Sequence, residues 1–163
     1  HGTDIKVDSV EGEGTTFSFV INFKRSLQTE LPEKAKEVIF EGKRVLVVDD
    51  NEINILIAKR ILMKWGLNID FASDGYQAID AITKNQYDLV FMDIKMPGIN
   101  GFETTIIIRE MEDGHYKNLP IVALTASTLH DEESKFRESG MNGHVLKPFN
   151  PGEIKKVLAR YLS

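Results

Sequence analysis

Four apolar runs of strand length, each ending on a residue with reactive chemistry, constrain this chain more tightly than any other feature. RVLVV precedes Asp49 and Asp50, DLVFM precedes Asp93, PIVAL precedes Thr125, and GHVL precedes Lys147. Apolar runs without polar alternation fit strands that are buried on both faces, as in a parallel sheet. Ligands of open parallel sheets collect just beyond the carboxyl ends of the strands. Three carboxylates, a hydroxyl and an ammonium are therefore expected in one crevice, a set suited to a divalent metal and a phosphoryl group.

The runs fall within a regular alternation. Strands are predicted at 44–48, 68–72, 88–92, 120–124 and 143–146, and helices at 52–65, 75–84, 102–112, 129–139 and 151–162. The first helix carries Ile53, Leu56, Ile57, Ile61 and Trp65 as an apolar face. In the last, Ile154, Val157, Leu158, Tyr161 and Leu162 repeat at i, i+3, i+4, i+7 and i+8. Asn150, Pro151 and Glu153 supply its N-cap, its first helical residue and a capping-box acid. The helix at 129–139 is polar, with Leu129 and Phe136 as its main apolar anchors. Five strand–helix units with short connections give an α/β fold: a doubly wound, five-stranded parallel sheet with helices on both faces.

Residues 1–27 differ from the rest. Ile5 and Val7, then Phe17, Phe19, Ile21 and Phe23, alternate with polar neighbours around the turn-prone Val10–Gly14, which predicts a β-hairpin. Residues 28–42 are charged, contain Pro32 and read as a linker, leaving 43–163 as the main domain. The chain has 163 residues, 42% of them apolar, a net charge of −5 and no cysteine. This excludes disulfide and thiolate chemistry and disfavours direct nucleic-acid binding. No window approaches the ~18 apolar residues of a membrane helix. A chain that opens on His1, without Met, reads as a fragment.

Singly, the strand-end residues have two readings each. Asp49 and Asp50 repel unless a cation neutralises them, and oxygen donors favour Mg²⁺ or Mn²⁺; the same pair can cap the following helix. Asp93 can attack phosphorus to give an acyl phosphate or can initiate the turn at Lys95-Met96-Pro97-Gly98. Thr125 can bind a phosphoryl oxygen or begin a loop. Lys147 can pair with a phosphoryl group or with Asp93, or can be solvated. A cis bond before Pro148 would aim Lys147 inward. Order and spacing of all four together favour the site over the separate alternatives.

VLVVDDNEIN, DLVFMDIKMPGINGFE, PIVALTA and GHVLKPF resemble a response-regulator receiver domain of the bacterial chemotaxis type, a flavodoxin-like fold, over essentially all of 43–163. The resemblance implies that Asp93 accepts a phosphoryl group from a partner's phosphohistidine in a Mg²⁺-dependent reaction. It implies that Asp50 binds the metal directly and Asp49 largely through water, with the Lys95 carbonyl as a further ligand, and that Thr125 and Lys147 turn to the phosphoryl group. The family's switching Tyr or Phe, three residues before the lysine, is replaced by His144, which introduces a pH-sensitive group or is a plain histidine on an edge strand.

Residues 1–23 are similar to the end of a histidine-kinase ATP-binding domain, with Gly12, Gly14 and Thr15 matching its Gly-x-Gly-Thr segment. The implied parent is a hybrid sensor histidine kinase, cytoplasmic here and with membrane anchoring of the parent left open. The fragment itself is expected to have no ATP binding or kinase activity, to make no membrane contact, and to form a dimer or an internal contact through the apolar face of the hairpin. An aspartyl-phosphate phosphatase would place its nucleophile in an Asp-x-Asp after the first strand, and a flavin-binding domain would offer a Ser/Thr/Gly-rich cradle there. Neither is present. A degenerate receiver is disfavoured because all five site positions retain usable chemistry.

Overall fold

The structure, a computed structural model, describes residues 5–12, 14–20, 40–112, 114–126 and 133–162. The chain divides into two compact units, His1–Lys36 and Glu37–Ser163. In the first, β1 (Lys6–Val10) pairs antiparallel with β2 (Gly14–Ser18), with Val7 opposite Phe17. Ile5, Val7, Val10, Phe17, Phe19 and Val20 are all exposed. Ile21, Phe23 and nearly all of the expected linker lie outside the described residues.

The second unit is the expected parallel sheet. Its strands are β3 (Arg44–Val48), β4 (Asn68–Ala72), β5 (Leu89–Asp93), β6 (Ile121–Thr125) and β7 (Gly143–Leu146), in the order β4-β3-β5-β6-β7. The helices are α1 (Glu52–Leu62, continued by a 3-10 turn to Trp65), α2 (Gly75–Lys84), α3 (Gly101–Glu110), α4 (Gly114–Asn118), α5 (Glu133–Ser139) and α6 (Pro151–Leu162). α4 is too short and too polar to show a helical period, and the sequence reading did not anticipate it. Residues 129–132 of the expected fourth helix, with Leu129, lie outside the described residues.

Alternation along each strand divides the core into two layers. Val45, Val47, Phe91, Val122 and Leu124 pack on one face with Ala58, Ile61, Leu62, Ile154 and Leu158 of α1 and α6. Leu46, Val48, Val90, Met92 and Ala123 pack on the other with Ala78, Ile82, Phe102 and Ile108 of α2 and α3. Burial on both sides is why the central strands β3, β5 and β6 lack polar alternation, whereas the edge strand β4 (NIDFA) is part-exposed and alternates.

The expected apolar face of α1 is corrected by the structure. Ile53 and Leu56 are 66% and 57% exposed and Ile57 is also exposed, whereas Ile61 and Trp65 are buried. The inward stripe is Asn54, Ala58, Ile61, Leu62 and Trp65 (i, i+4, i+7, i+8, i+11). Asn54 Nδ2 donates to Asp49 Oδ1 at 3.0 Å, and this bond fixes the rotation of the helix. Apolar content alone pointed to the wrong stripe because the inward position of the first turn is occupied by an amide. Gly66, at φ 74°, ends this segment in the left-handed conformation that favours glycine.

Candidate functional site

The strand order reverses between β3 and β5, so the chain leaves these neighbouring strands toward opposite sides and opens a crevice at their carboxyl ends. Asp49 and Asp50 follow β3, and Asp93 ends β5. One carboxylate oxygen from each lies within 4.8 Å of the others. Asp49 is fully buried, Asp93 is 6% exposed, and Asp50 opens to solvent.

Lys147 arrives from the end of β7. Its Nζ lies 2.6 Å from Asp49 Oδ2 and 2.7 Å from Asp93 Oδ2. Its backbone N–H donates to the Thr125 carbonyl at 2.7 Å, which ties the ends of β6 and β7 together. The Lys147–Pro148 peptide is cis, as anticipated. Thr125 is buried at the end of β6. Asp49, Asp93 and Lys147 thus meet in one crevice, with Asp50 at the rim and Thr125 at the neighbouring strand end.

The local bonding specifies each carboxylate. Asp49 Oδ1 accepts from the Asn51 N–H and from Asn54 Nδ2, both at 3.0 Å. Asp49 Oδ2 is buried and, despite its closeness to Lys147, accepts no bond of hydrogen-bonding geometry among the described residues. Asp93 Oδ1 accepts from the Lys95 N–H at 3.2 Å, and Oδ2 accepts from Lys147 at 2.7 Å. Burial pushes the Asp93 carboxyl above its ordinary range. Lys147 opposes that rise and the Asp49 charge adds to it. Asn51 is also the N-cap of α1, with its side chain accepting from the Ile53 N–H. The expected capping function of this turn therefore belongs to Asn51, and both aspartates are left for the crevice.

Sequence reasoning missed three contributors. Asn54 holds Asp49, and its only sequence signal is a polar residue in line with Ala58 and Ile61. A Cβ at Gly101 would stand 2.1 Å from the Asp93 carbonyl oxygen, so only glycine lets α3 begin this close to the end of β5. Lys135 of α5 borders a cleft next to the Asp93 loop. His144, in contrast, is not in the crevice. It is exposed on the edge strand β7, with its ring edge-on to Phe136 at 6.2 Å between centroids.

The donor set fits a hard divalent cation. It consists of carboxylate oxygens only, and Asp49 also carries a buried oxygen, Oδ2, with no hydrogen-bond donor among the described residues; Mg²⁺ takes such ligands. A family model described as the response regulator receiver domain matches residues 45–159. The chain belongs to the response regulator receiver family. Hybrid signal transduction histidine kinase I of Dictyostelium discoideum is 40% identical over 121 residues, covering 71% of this chain and 7% of that protein. The autoinducer 2 sensor kinase/phosphatase LuxQ of Vibrio parahaemolyticus is 31% identical over 164 residues, covering 97% of this chain and 19% of that protein. This receiver-containing chain therefore spans less than a fifth of either relative's length. Among solved structures, the receiver domain of a sensor histidine kinase from Pseudomonas aeruginosa PAO1, with a magnesium ion coordinated in its active-site cleft, superposes with a TM-score of 0.69. It is 31% identical, and the match covers 74% of this chain and 98% of that one. The receiver acts in two-component phosphorelay signalling, as its family does. Among the described residues, no helix is long and apolar enough to cross a membrane.

Proposed function

We propose that Asp93 is the phosphoacceptor of this receiver, that Asp49, Asp50 and Asp93, with the Lys95 carbonyl, hold Mg²⁺ (or Mn²⁺), and that Thr125 and Lys147 bind the transferred group. The observation that carries this reading is the single ammonium of Lys147 lying 2.6–2.7 Å from two buried carboxylates that share a crevice with a third. Three negative charges against one positive leave room for a divalent cation. Mg²⁺, when bound, supplies neutralisation of the phosphoryl oxygens.

The residues of the chain do the rest. The Lys95 N–H holds Asp93 Oδ1 and so orients the carboxylate. Attack on phosphorus removes negative charge from Asp93, which frees Lys147 to pair with the phosphoryl oxygens. Thr125, fixed to the Lys147 backbone through its own carbonyl, then couples the event to β6 and the segment after it. The exposed position of His144 supports the edge-strand histidine, with its contact to Phe136 of α5 as its link to the switch.

A phosphohistidine on a protein partner is the proposed donor. Ile53, Leu56 and Ile57, exposed on α1 immediately after the two aspartates, offer that partner an apolar surface beside the crevice. Residues 1–27 are proposed to be the last hairpin of a kinase ATP-binding domain, 28–42 a linker, and the parent a hybrid histidine kinase. The antiparallel pairing of β1 and β2, with Val7 opposite Phe17, supports the hairpin reading, and self-association through its apolar side chains is a corollary. The test is intact mass after incubation with acetyl phosphate. A Mg²⁺-dependent gain of one phosphoryl group that is absent in Asp93→Asn is expected; a gain that persists in that variant refutes the assignment.

A further inference from the structure

A cleft of 440 Å³ opens beside the Asp93 loop, lined among the described residues by Ile94, Lys95, Met96, Asn100, Phe102 and Lys135. Its volume lies within the ~300–1,000 Å³ range of small-molecule sites. Ile94, Met96 and Phe102 are 3%, 9% and 6% exposed and form an apolar floor. Lys95 and Lys135 approach from two elements, the loop after β5 and helix α5. Among the described residues, neither ammonium has a carboxylate within ion-pair distance. The cleft adjoins the acceptor's own loop: Lys95, which lines it, donates its backbone N–H to Asp93 Oδ1.

This arrangement addresses an electrostatic problem of the crevice. Three carboxylates outnumber Lys147 there, so an anionic phosphodonor approaches against net negative charge. Two lysines in the cleft beside the Asp93 loop offset part of that field, and the apolar floor suits the small carbon skeleton of a carboxylic acid.

We infer that this lysine-walled cleft binds the acyl portion of a small acyl phosphate and makes Lys135 a specificity residue for that class of donor. The inference rests on Asp93 as phosphoacceptor. In the step it serves, an Asp93 carboxylate oxygen forms a bond to phosphorus while the bond from phosphorus to the acyl oxygen breaks. The electron pair leaves with that oxygen, so the departing group is a carboxylate anion and no proton moves. In this reading the growing negative charge is met by the cationic wall of the adjoining cleft. A phosphoramidate donor differs at this point, because it releases neutral ammonia and has no acyl group to place.

The experiment measures the rates at which the whole chain is phosphorylated by acetyl phosphate and by phosphoramidate, in Mg²⁺, for wild type, Lys135→Gln and Lys135→Arg. Exposed charge interactions of ~0.2–1 kcal/mol correspond to rate changes of about 1.4- to 5-fold. Lys135→Gln is expected to slow acetyl phosphate by about two- to fivefold and to leave the phosphoramidate rate unchanged, with Lys135→Arg restoring the wild-type ratio. Equal slowing of both donors, or no slowing of either, overturns the inference and leaves the acceptor assignment standing. Wild-type protein that takes a phosphoryl group from neither donor overturns the acceptor assignment and the inference with it. As a readout independent of turnover, the backbone amides of Lys95 and Lys135 are expected to shift on titration with acetonylphosphonate, which cannot transfer its phosphorus. Shifts confined to the crevice would overturn the cleft.

Discussion

Replacing Lys147 with Met removes the one described ammonium held between two buried carboxylates. Its side chain is 16% exposed, while those of Asp49 and Asp93 are 0% and 9% exposed. At an effective dielectric of about 20, a unit pair at this separation attracts by roughly 6 kcal/mol before the desolvation of the charges is subtracted. Breaking a buried pair by removing one partner costs about 3–5 kcal/mol in practice. Asp93 already titrates above the ordinary range and can take up a proton when its partner goes, which limits the loss. A decrease of about 3 kcal/mol in unfolding free energy at pH 7 follows, read from urea denaturation in the absence of divalent metal. Mg²⁺ should stabilise this variant more than wild type, because a crevice with three carboxylates and no ammonium binds a divalent cation more strongly. A loss below about 1 kcal/mol, or equal stabilisation of both proteins by Mg²⁺, would refute the reading of Lys147 as the counter-ion of the two buried carboxylates.

Three further outcomes are expected. Because burial raises the Asp93 carboxyl above its ordinary value of 3.8, the folded chain holds that proton more tightly than the unfolded one, and stability is lost as pH rises through the raised value. The stability of Asp93→Asn minus that of wild type, measured without metal, should therefore grow from pH 3.8 upward and then level off; a difference that shrinks with rising pH would contradict the sign. Gly101→Ala should destabilise by more than 2 kcal/mol in a thermal or urea melt, since its Cβ would overlap the Asp93 carbonyl, and it should slow phosphorylation by displacing Asp93. Leu56→Ser, at an exposed position, should leave stability within about 0.5 kcal/mol and phosphorylation by acetyl phosphate unchanged, while reducing phosphotransfer from a phosphohistidine protein.

The centre of the sheet was legible because β3, β5 and β6 are buried on both faces, so their runs of Val, Leu and Ile read as strands without a competing helical period. The crevice was legible for a related reason. A charged or hydroxylated residue at the end of such a run has nowhere to go but the carboxyl edge of the sheet, and four of them in order fix the site. What the sequence hid depends on contacts distant in the chain. The rotation of α1 is set by Asn54 reaching Asp49, so an apolar stripe through Ile53, Leu56 and Ile57 points outward, against its composition. The short helix α4 is held instead by Arg109. That guanidinium donates to the Tyr116 carbonyl at 2.6 Å, and to the Gly140 carbonyl and Asn142 Oδ1 across the next loop. Its burial lowers its pKa from the usual value, and no local pattern announces it. Lys135 joins the Asp93 cleft only through the packing of α5.

The most direct test of the central claim is chemical identification of the acceptor. After phosphorylation by acetyl phosphate in Mg²⁺, borohydride reduction converts an aspartyl phosphate to homoserine, and peptide mapping then locates it. Homoserine at position 93, and at neither 49 nor 50, is the predicted result. Homoserine at another aspartate, or none in a protein that has gained the mass of a phosphoryl group, would contradict the account.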